Sequence, residues 1–217
     1  MKTPVRRSAL YHRLVAAGAR MAVDGPWEIA QSFADGGMGE QSLRRGVGIA
    51  DGSARYFRLV CGSDLPAWLP AAPAVGLVAP IVVEGHRALC CRLTDDRALL
   101  ASGAVLELPA PPGPCAHQVD LTSGTTRILL GGPESLTLLR AVTSLNVGRS
   151  GFPDGRCAQT SLARVPATLI HRDRGDLPAY EILVARDVGV YVWEVLLDAG
   201  TPLEAVVVPA TAFGPEV

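Results

Sequence analysis

A chain of 217 residues, 48% of them hydrophobic, is long enough for one sizeable core or two small ones, which excludes a disordered polymer. Its 20 basic and 21 acidic side chains leave a net charge of −1, which excludes a general electrostatic grip on nucleic acid or an anionic membrane. No stretch reaches the ~20 apolar residues of a membrane-spanning helix, and the opening run MKTPVRRSALYHRL lacks the apolar segment of a signal peptide; a soluble, cytoplasmic protein is expected.

Residues 8–21 read as a first helix, with Ser8 as N-cap, Leu10 and Leu14 one turn apart, and Gly18 near the stop. Residues 24–39, with Pro26, Trp27 and several glycines, read as a loop packed on the body, and 40–46 as a short helix. Strands are expected over 55–61 (RYFRLVC), 77–83, 88–93 and 98–108, with turn signals between them. The proline-rich run 109–114 is the best internal boundary, joining sub-units 1–108 and 115–210 of one domain that spans 1–217.

Beyond it, 126–131 reads as a strand, and Pro133 suits the first turn of a helix on which Leu138, Val142 and Leu145 align. Residues 162–170 read as a strand that Pro166 confines to an edge or a bulge, with 180–185 as its partner. Asp187 is the expected N-cap of a helix carrying Val188, Val192, Val195 and Ala199 on one face and ending at Gly200; 205–208 is a last short strand. The fold class is α+β, with a ferredoxin-like β-α-β-β-α-β unit in the C-terminal half.

Chemistry-bearing residues are sparse. Asp95-Asp96 sits in LTDDRALL between two apolar runs, where a hairpin turn explains it better than acid–base work. His171-Arg172-Asp173 has no Gly-rich loop or D-F-G motif beside it and reads as a solvated turn. Gly36-Gly37-Met38-Gly39 and Gly131-Gly132 do not match a dinucleotide or phosphate-loop spacing. His12, His86, His117 and His171 are scattered, and the five cysteines (Cys61, Cys90, Cys91, Cys115, Cys157) have no C-x-x-C spacing, so no metal site and no disulfide framework is expected. No G-x-S-x-G elbow is present, and no catalytic residue is assigned. Glu181 stands apart. A carboxylate inside the apolar strand AYEILV needs either an exposed face or a specific partner.

Four runs carry a family likeness: GARMAVDGPWE (18–28), RRGVGIADGS (44–53), GRCAQT (155–160) and VWEVLLDAG (192–200). The chain resembles the folate-binding domain of glycine-cleavage aminomethyltransferase (the T-protein) and the gamma subunit of heterotetrameric sarcosine oxidase. The resemblance covers roughly 8–65 and 121–200. It implies an aminomethyltransferase folate-binding-domain-like fold, truncated by the absence of the T-protein's C-terminal barrel domain. It also implies that Tyr180-Glu181-Ile182 stands where the family's G-Y/F-E-I/L run supplies a glutamate to the pterin ring of tetrahydrofolate, making Glu181 and Tyr180 the candidate cofactor-binding residues. A pterin offers an amino group and a ring N–H side by side, a donor pair that suits a carboxylate.

The departures are as informative. Ala179 replaces the family's glycine, Gly52 replaces a small hydrophobic residue, and PIVVEGHRALCCRL (80–93) has no aspartate where the T-protein carries its catalytic one. Two readings follow. In the first, the chain is a one-carbon subunit that helps hold tetrahydrofolate beside flavin-containing oxidase subunits. In the second, it is a stand-alone enzyme on the same scaffold, with a reworked pocket that uses Glu84, His86 or Glu181.

Overall fold

Strands that are apolar on both faces must be covered on both faces, and two such strands organise this molecule. The computed structural model describes residues 4–34 and 38–214. In chain order the first half holds β1 (Arg6–Arg7), α1 (Tyr11–Ala16), β2 (Arg20–Asp24), β3 (Trp27–Ser32), α2 (Met38–Arg45), β4 (Gly48–Asp51), β5 (Tyr56–Cys61), α3 (Leu65–Trp68), β6 (Val78–Val83), β7 (His86–Thr94) and β8 (Arg97–Ser102). The second half holds β9 (His117–Asp120), β10 (Thr125–Gly131), α4 (Ser135–Val142), β11 (Cys157–Leu162), β12 (Val165–His171), β13 (Ala179–Ala185), α5 (Gly189–Gly200) and β14 (Val206–Val207).

The strands form a central sheet in the order β11-β12-β13-β10-β4-β14, a second sheet β6-β7-β8-β5-β9, and a small sheet β1-β3-β2. One face of the central sheet packs Ile49, Ile128, Leu130, Leu169 and Ile182 against Leu14 of α1, Leu138 of α4 and Val192, Trp193 and Leu196 of α5. The other face packs Cys157, Ile170 and Leu183 against Phe57, Leu89, Cys91 and Leu99 of the second sheet. That sheet buries its far face too, with Ile81, Ala88, Cys90 and Leu100 against Leu65, Trp68 and Leu69. The run ALCC (88–91) is apolar throughout because β7 is covered on both sides. Each fully buried large apolar side chain contributes roughly 1.5–3 kcal/mol of transfer free energy, so the layers are held mainly by these contacts.

The α+β class holds, and the split unit is present with two changes. Strands β14, β10, β13 and β12 keep the ferredoxin-like arrangement, but β4 is intercalated between β14 and β10, and β11 extends the opposite edge. The proline-rich run 109–114 passes between β8 and β9, two strands of one sheet. Strands from both sides of that run therefore share both larger sheets.

Several expected elements are redrawn. The first helix ends at Ala16, and Gly18, at φ 82°, turns the chain so that Arg20 and Met21 enter β2. The expected loop at 24–39 contains β3, because Gly25 and Pro26 close a hairpin that sends Trp27 into the interior; its residues 35–37, with Gly36 and Gly37, lie outside the described residues. The strand expected over 98–108 stops at Ser102. The strand expected over 162–170 is the end of one strand and most of another, turned at Ala163-Arg164 with φ 49° and 65°. Leu145 falls beyond α4, which starts at Ser135 rather than beside Pro133. Asp187 lies in a single 3-10 turn before α5, where its Oδ1 accepts the Val188 amide. The buried face of α5 is Val192, Trp193 and Leu196.

Candidate functional site

Strand register builds the site. Cys157 pairs with Ile170, Ile170 with Glu181, Glu181 with Leu129, and Leu129 with Ala50. Residues directly opposite one another point to the same face of a sheet. These five therefore form one row across the central sheet, on the side that meets the second sheet. Arg127, two residues before Leu129, lies on the same face.

Glu181 is buried and fully partnered. Arg127 donates from Nε to Oε2 over 2.8 Å, and its Nη1 donates to the Gly52 carbonyl over 3.0 Å. On the other carboxylate oxygen, Oε1 accepts from Arg172 Nη2 at 3.1 Å and Arg174 Nη2 at 3.2 Å. Burial alone would push this carboxyl up, but the charge and hydrogen bond of Arg127, then the charges of Arg172 and Arg174, outweigh it and hold the group at about 2. Glu181 is thus a fixed anion. Its need for a partner was legible in AYEILV; the partner Arg127 was missed, although an arginine inside the apolar strand TTRILLG carries the same signal.

Tyr180, its neighbour, points to the opposite face. There it is buried and stacks on the His171 ring with centroids 4.3 Å apart. His171 itself is buried, not part of a solvated turn, because the Tyr180 and Phe152 rings cover it. Its Nδ1 lies 2.7 Å from the Phe152 carbonyl and its Nε2 lies 3.0 Å from Asp173 Oδ1. Asp173 Oδ1 also accepts the Ala179 amide, and Asp154 Oδ1 accepts the Asp173 amide. This network fastens the β12–β13 loop, the segment that delivers Arg172 and Arg174 to Glu181. Asp154, His171 and Asp173 bring ligand-type atoms within 4.8 Å of one another, with both carboxylates already accepting backbone amides.

Beside this loop lies a cleft of about 510 Å³ lined by Leu43, Arg44, Arg174, Leu177, Pro178 and Phe213, among others. Arg174 faces both the cleft and Glu181. A more apolar slot of about 350 Å³ opens between the sheets, lined by Leu59, Leu93, Leu99, Leu121 and Leu183. Glu84 is elsewhere. With φ 47°, it forms the β6–β7 turn with Gly85 and lines a separate cleft with Trp68 and Pro109, while His86 is exposed at the start of β7. Neither lines the cleft beside Arg174. Asp95 and Asp96 form the β7–β8 turn, as their context suggests.

On the helix side of the sheet, Asp51 accepts hydrogen bonds from the Ser8 hydroxyl and the Ser53 amide. Burial pushes its carboxyl above the ordinary value, against those hydrogen bonds and the Arg127 charge. Asp51 and Glu181 thus titrate in opposite directions on the two faces of one sheet.

No protein-family profile and no curated protein matches the sequence. Solved structures do match by fold. The glycine cleavage system aminomethyltransferase T from Bartonella henselae superposes with a TM-score of 0.77 at 16% identity, over 96% of this chain and 61% of that one. A chain of heterotetrameric sarcosine oxidase from Corynebacterium sp. U-96, solved in complex with pyrrole 2-carboxylate, superposes with a TM-score of 0.66 at 21% identity, over 92% of this chain and 97% of that one. The chain has the T-protein-like fold that its motifs suggest and spans 61% of the aminomethyltransferase. No helix among the described residues is long and apolar enough to cross a membrane.

Proposed function

We propose that this chain works in one-carbon metabolism as a subunit resembling the sarcosine oxidase gamma subunit, binding or helping to bind tetrahydrofolate beside an N-methyl amine oxidase. Two likenesses of fold support the reading: one to an aminomethyltransferase, the other over nearly the full length of a chain from a heterotetrameric oxidase. The observation that carries it is Glu181, a carboxylate held ionised on an inner strand and linked through Arg174 to the cleft of about 510 Å³.

The donor set suits a pterin edge. Arg127 keeps Oε2, and the amino and ring N–H groups of the ligand compete with Arg172 and Arg174 for Oε1. Both of those arginines sit on the β12–β13 loop and are partly exposed, so they are the groups that yield. Tyr180 contributes from the other face as a positioning residue: it clamps His171, which with Asp173 sets the loop. Tetrahydrofolate, when bound, supplies the nucleophilic nitrogen that accepts a one-carbon unit. A closed pocket holding Glu181 with Glu84 or His86 would favour a stand-alone enzyme; Glu84 and His86 instead lie at the β6–β7 turn, apart from the buried Glu181.

Calorimetric titration with tetrahydrofolate tests the proposal. Saturable binding that weakens about tenfold or more in Glu181→Gln is expected, since a charged hydrogen bond contributes about 1.5–3 kcal/mol. Circular dichroism must show that the variant is folded. Absence of binding by the folded wild-type chain at high ligand concentration removes the folate reading. Co-expression with flavin-bearing oxidase subunits tests the partner, and a chain that elutes alone from that co-expression counts against it.

A further inference from the structure

We propose that Asp154, His171 and Asp173 form a binding site for a divalent transition-metal ion of the zinc type, where the loop before β11 meets the β12–β13 loop. The three side chains bring ligand-type atoms within 4.8 Å of one another, an imidazole nitrogen and carboxylate oxygens. Nitrogen mixed with oxygen suits zinc and its neighbours, whereas calcium and magnesium take oxygen alone. No local spacing announces the site, because Asp154 reaches it from a separate loop.

The buried ring supplies an independent observation. His171 Nδ1 lies 2.7 Å from the Phe152 carbonyl oxygen, which can only accept, so Nδ1 carries the proton. Nε2 is then the nitrogen with the lone pair, and it faces Asp173 Oδ1 at 3.0 Å. An ionised carboxylate also only accepts, and this oxygen already takes the Ala179 amide. A ring only 4% exposed thus aims a bare nitrogen at an anion, an arrangement that needs a cation or a second proton between them. Arg172 and Arg174 of the same loop do not fill that need, since both reach Glu181 instead. A backbone carbonyl on the other ring N–H is the support by which metal-bound histidines fix this tautomer.

The backbone holds the ligands together. The Gly155 amide donates to the His171 carbonyl and the His171 amide to the Arg156 carbonyl, which laces the Asp154 segment to the end of β12. Asp154 Oδ1 accepts the Asp173 amide. An ion with bonds of about 2.0–2.2 Å holds its ligands roughly 3–4 Å apart. Nε2 and Asp173 Oδ1 have that spacing, and rotation of the exposed Asp154 side chain brings in its second oxygen. Bound there, the ion displaces the second proton and ties the two loops together.

The site stands independently of the folate reading and is tested without folate. Calorimetric titration of the chelator-treated full chain with zinc chloride should show one saturable site that weakens as the medium is acidified. Asp154→Asn keeps an acceptor for the Asp173 amide and should weaken binding by at least about tenfold. Cys115→Ser and Asp96→Asn, both away from the site, should bind as the wild-type chain does. Cobalt(II) should give a visible spectrum without a thiolate charge-transfer band. Zinc should raise the melting temperature of the wild-type chain and not that of Asp154→Asn. Absence of saturable binding, equal zinc affinity in Asp154→Asn, or a thiolate band that disappears in Cys115→Ser would each overturn the proposal.

Discussion

Arg127 Nε lies 2.8 Å from Glu181 Oε2 between two adjacent strands, with side chains only 4% and 3% exposed. The pair is almost wholly withdrawn from solvent. Desolvation of two such ions costs several kcal/mol, so a buried pair adds little net stability, yet breaking it by removing one partner is expensive. Glu181→Ala leaves Arg127 without this carboxylate and takes it from Arg172 and Arg174 as well. A loss of about 3–5 kcal/mol is expected, seen as a lower urea midpoint with an unchanged slope. A loss below about 1 kcal/mol would mean that water reaches the cluster in solution.

The same carboxyl sets an acid limit on the fold. Its ordinary value is 4.5 and its folded value is about 2, so the unfolded chain binds the proton more readily between them. The sign is that of a depressed acid: the stabilisation is fully present above 4.5 and is lost as pH falls through about 2. Asp51 has the opposite sign. Its folded value is raised, so its contribution is present below the ordinary 3.8 and is lost as pH rises through the folded value. Asp51 opposes Glu181 over this range, so the test is a difference: from pH 5 down to pH 2 the melting temperature should fall more steeply in the wild-type chain than in Glu181→Gln. An equally steep fall in that variant would place the acid sensitivity elsewhere.

The limits of sequence reading can be traced to particular residues. Helix faces and inner strands were legible because periodicity reports burial, and β10 and β13 appeared close to their true bounds. The β11–β12 hairpin was not. Its turn residues, Ala163 and Arg164, both adopt positive φ without being glycine or asparagine, so no turn signal was written there. The turn is imposed from outside: the Ala163 amide donates to the Val142 carbonyl, and the Tyr191 hydroxyl donates to the Ala163 carbonyl. The intercalation of β4 was equally hidden, since strand order depends on contacts between distant segments. At the site, the glutamate could be read and Arg127 carried the same signal, but their pairing with each other and with Arg172 and Arg174 could not, because the three arginines come from one neighbouring strand and one loop. The burial of His171 was missed for a similar reason, as Phe152 covers it from another segment.

That strained hairpin gives a prediction of gain. Arg164 is exposed and holds φ 65°, a conformation that costs a non-glycine residue roughly 1–2 kcal/mol. Arg164→Gly relieves that strain, and the greater freedom of glycine in the unfolded chain gives part of it back. A net stabilisation of about 0.5–1 kcal/mol is expected from urea denaturation. A destabilised variant would show that the arginine side chain makes a contact in solution worth more than the strain.

Thr126 and Gly189 give paired predictions of opposite sign. The Thr126 hydroxyl oxygen is buried on β10 and has no hydrogen-bond partner among the described residues. It faces the first residue of α5 so closely that a Cβ at Gly189 would sit 2.4 Å from it. The helix therefore approaches the sheet only because residue 189 is glycine. Gly189→Ala must push α5 away from β10 and loosen the packing around Val192 and Trp193, with an expected loss of about 1–3 kcal/mol. Thr126→Val keeps the shape and removes an orphan hydroxyl whose burial costs roughly 1–3 kcal/mol, so a gain of about 1 kcal/mol is expected. Thermal melts of the two variants settle both, because a loss on Thr126→Val would show that the hydroxyl finds a partner in solution. The double variant adds a further check. In Thr126→Val a methyl group fills the space that the hydroxyl held, so the cost of Gly189→Ala should persist in that background.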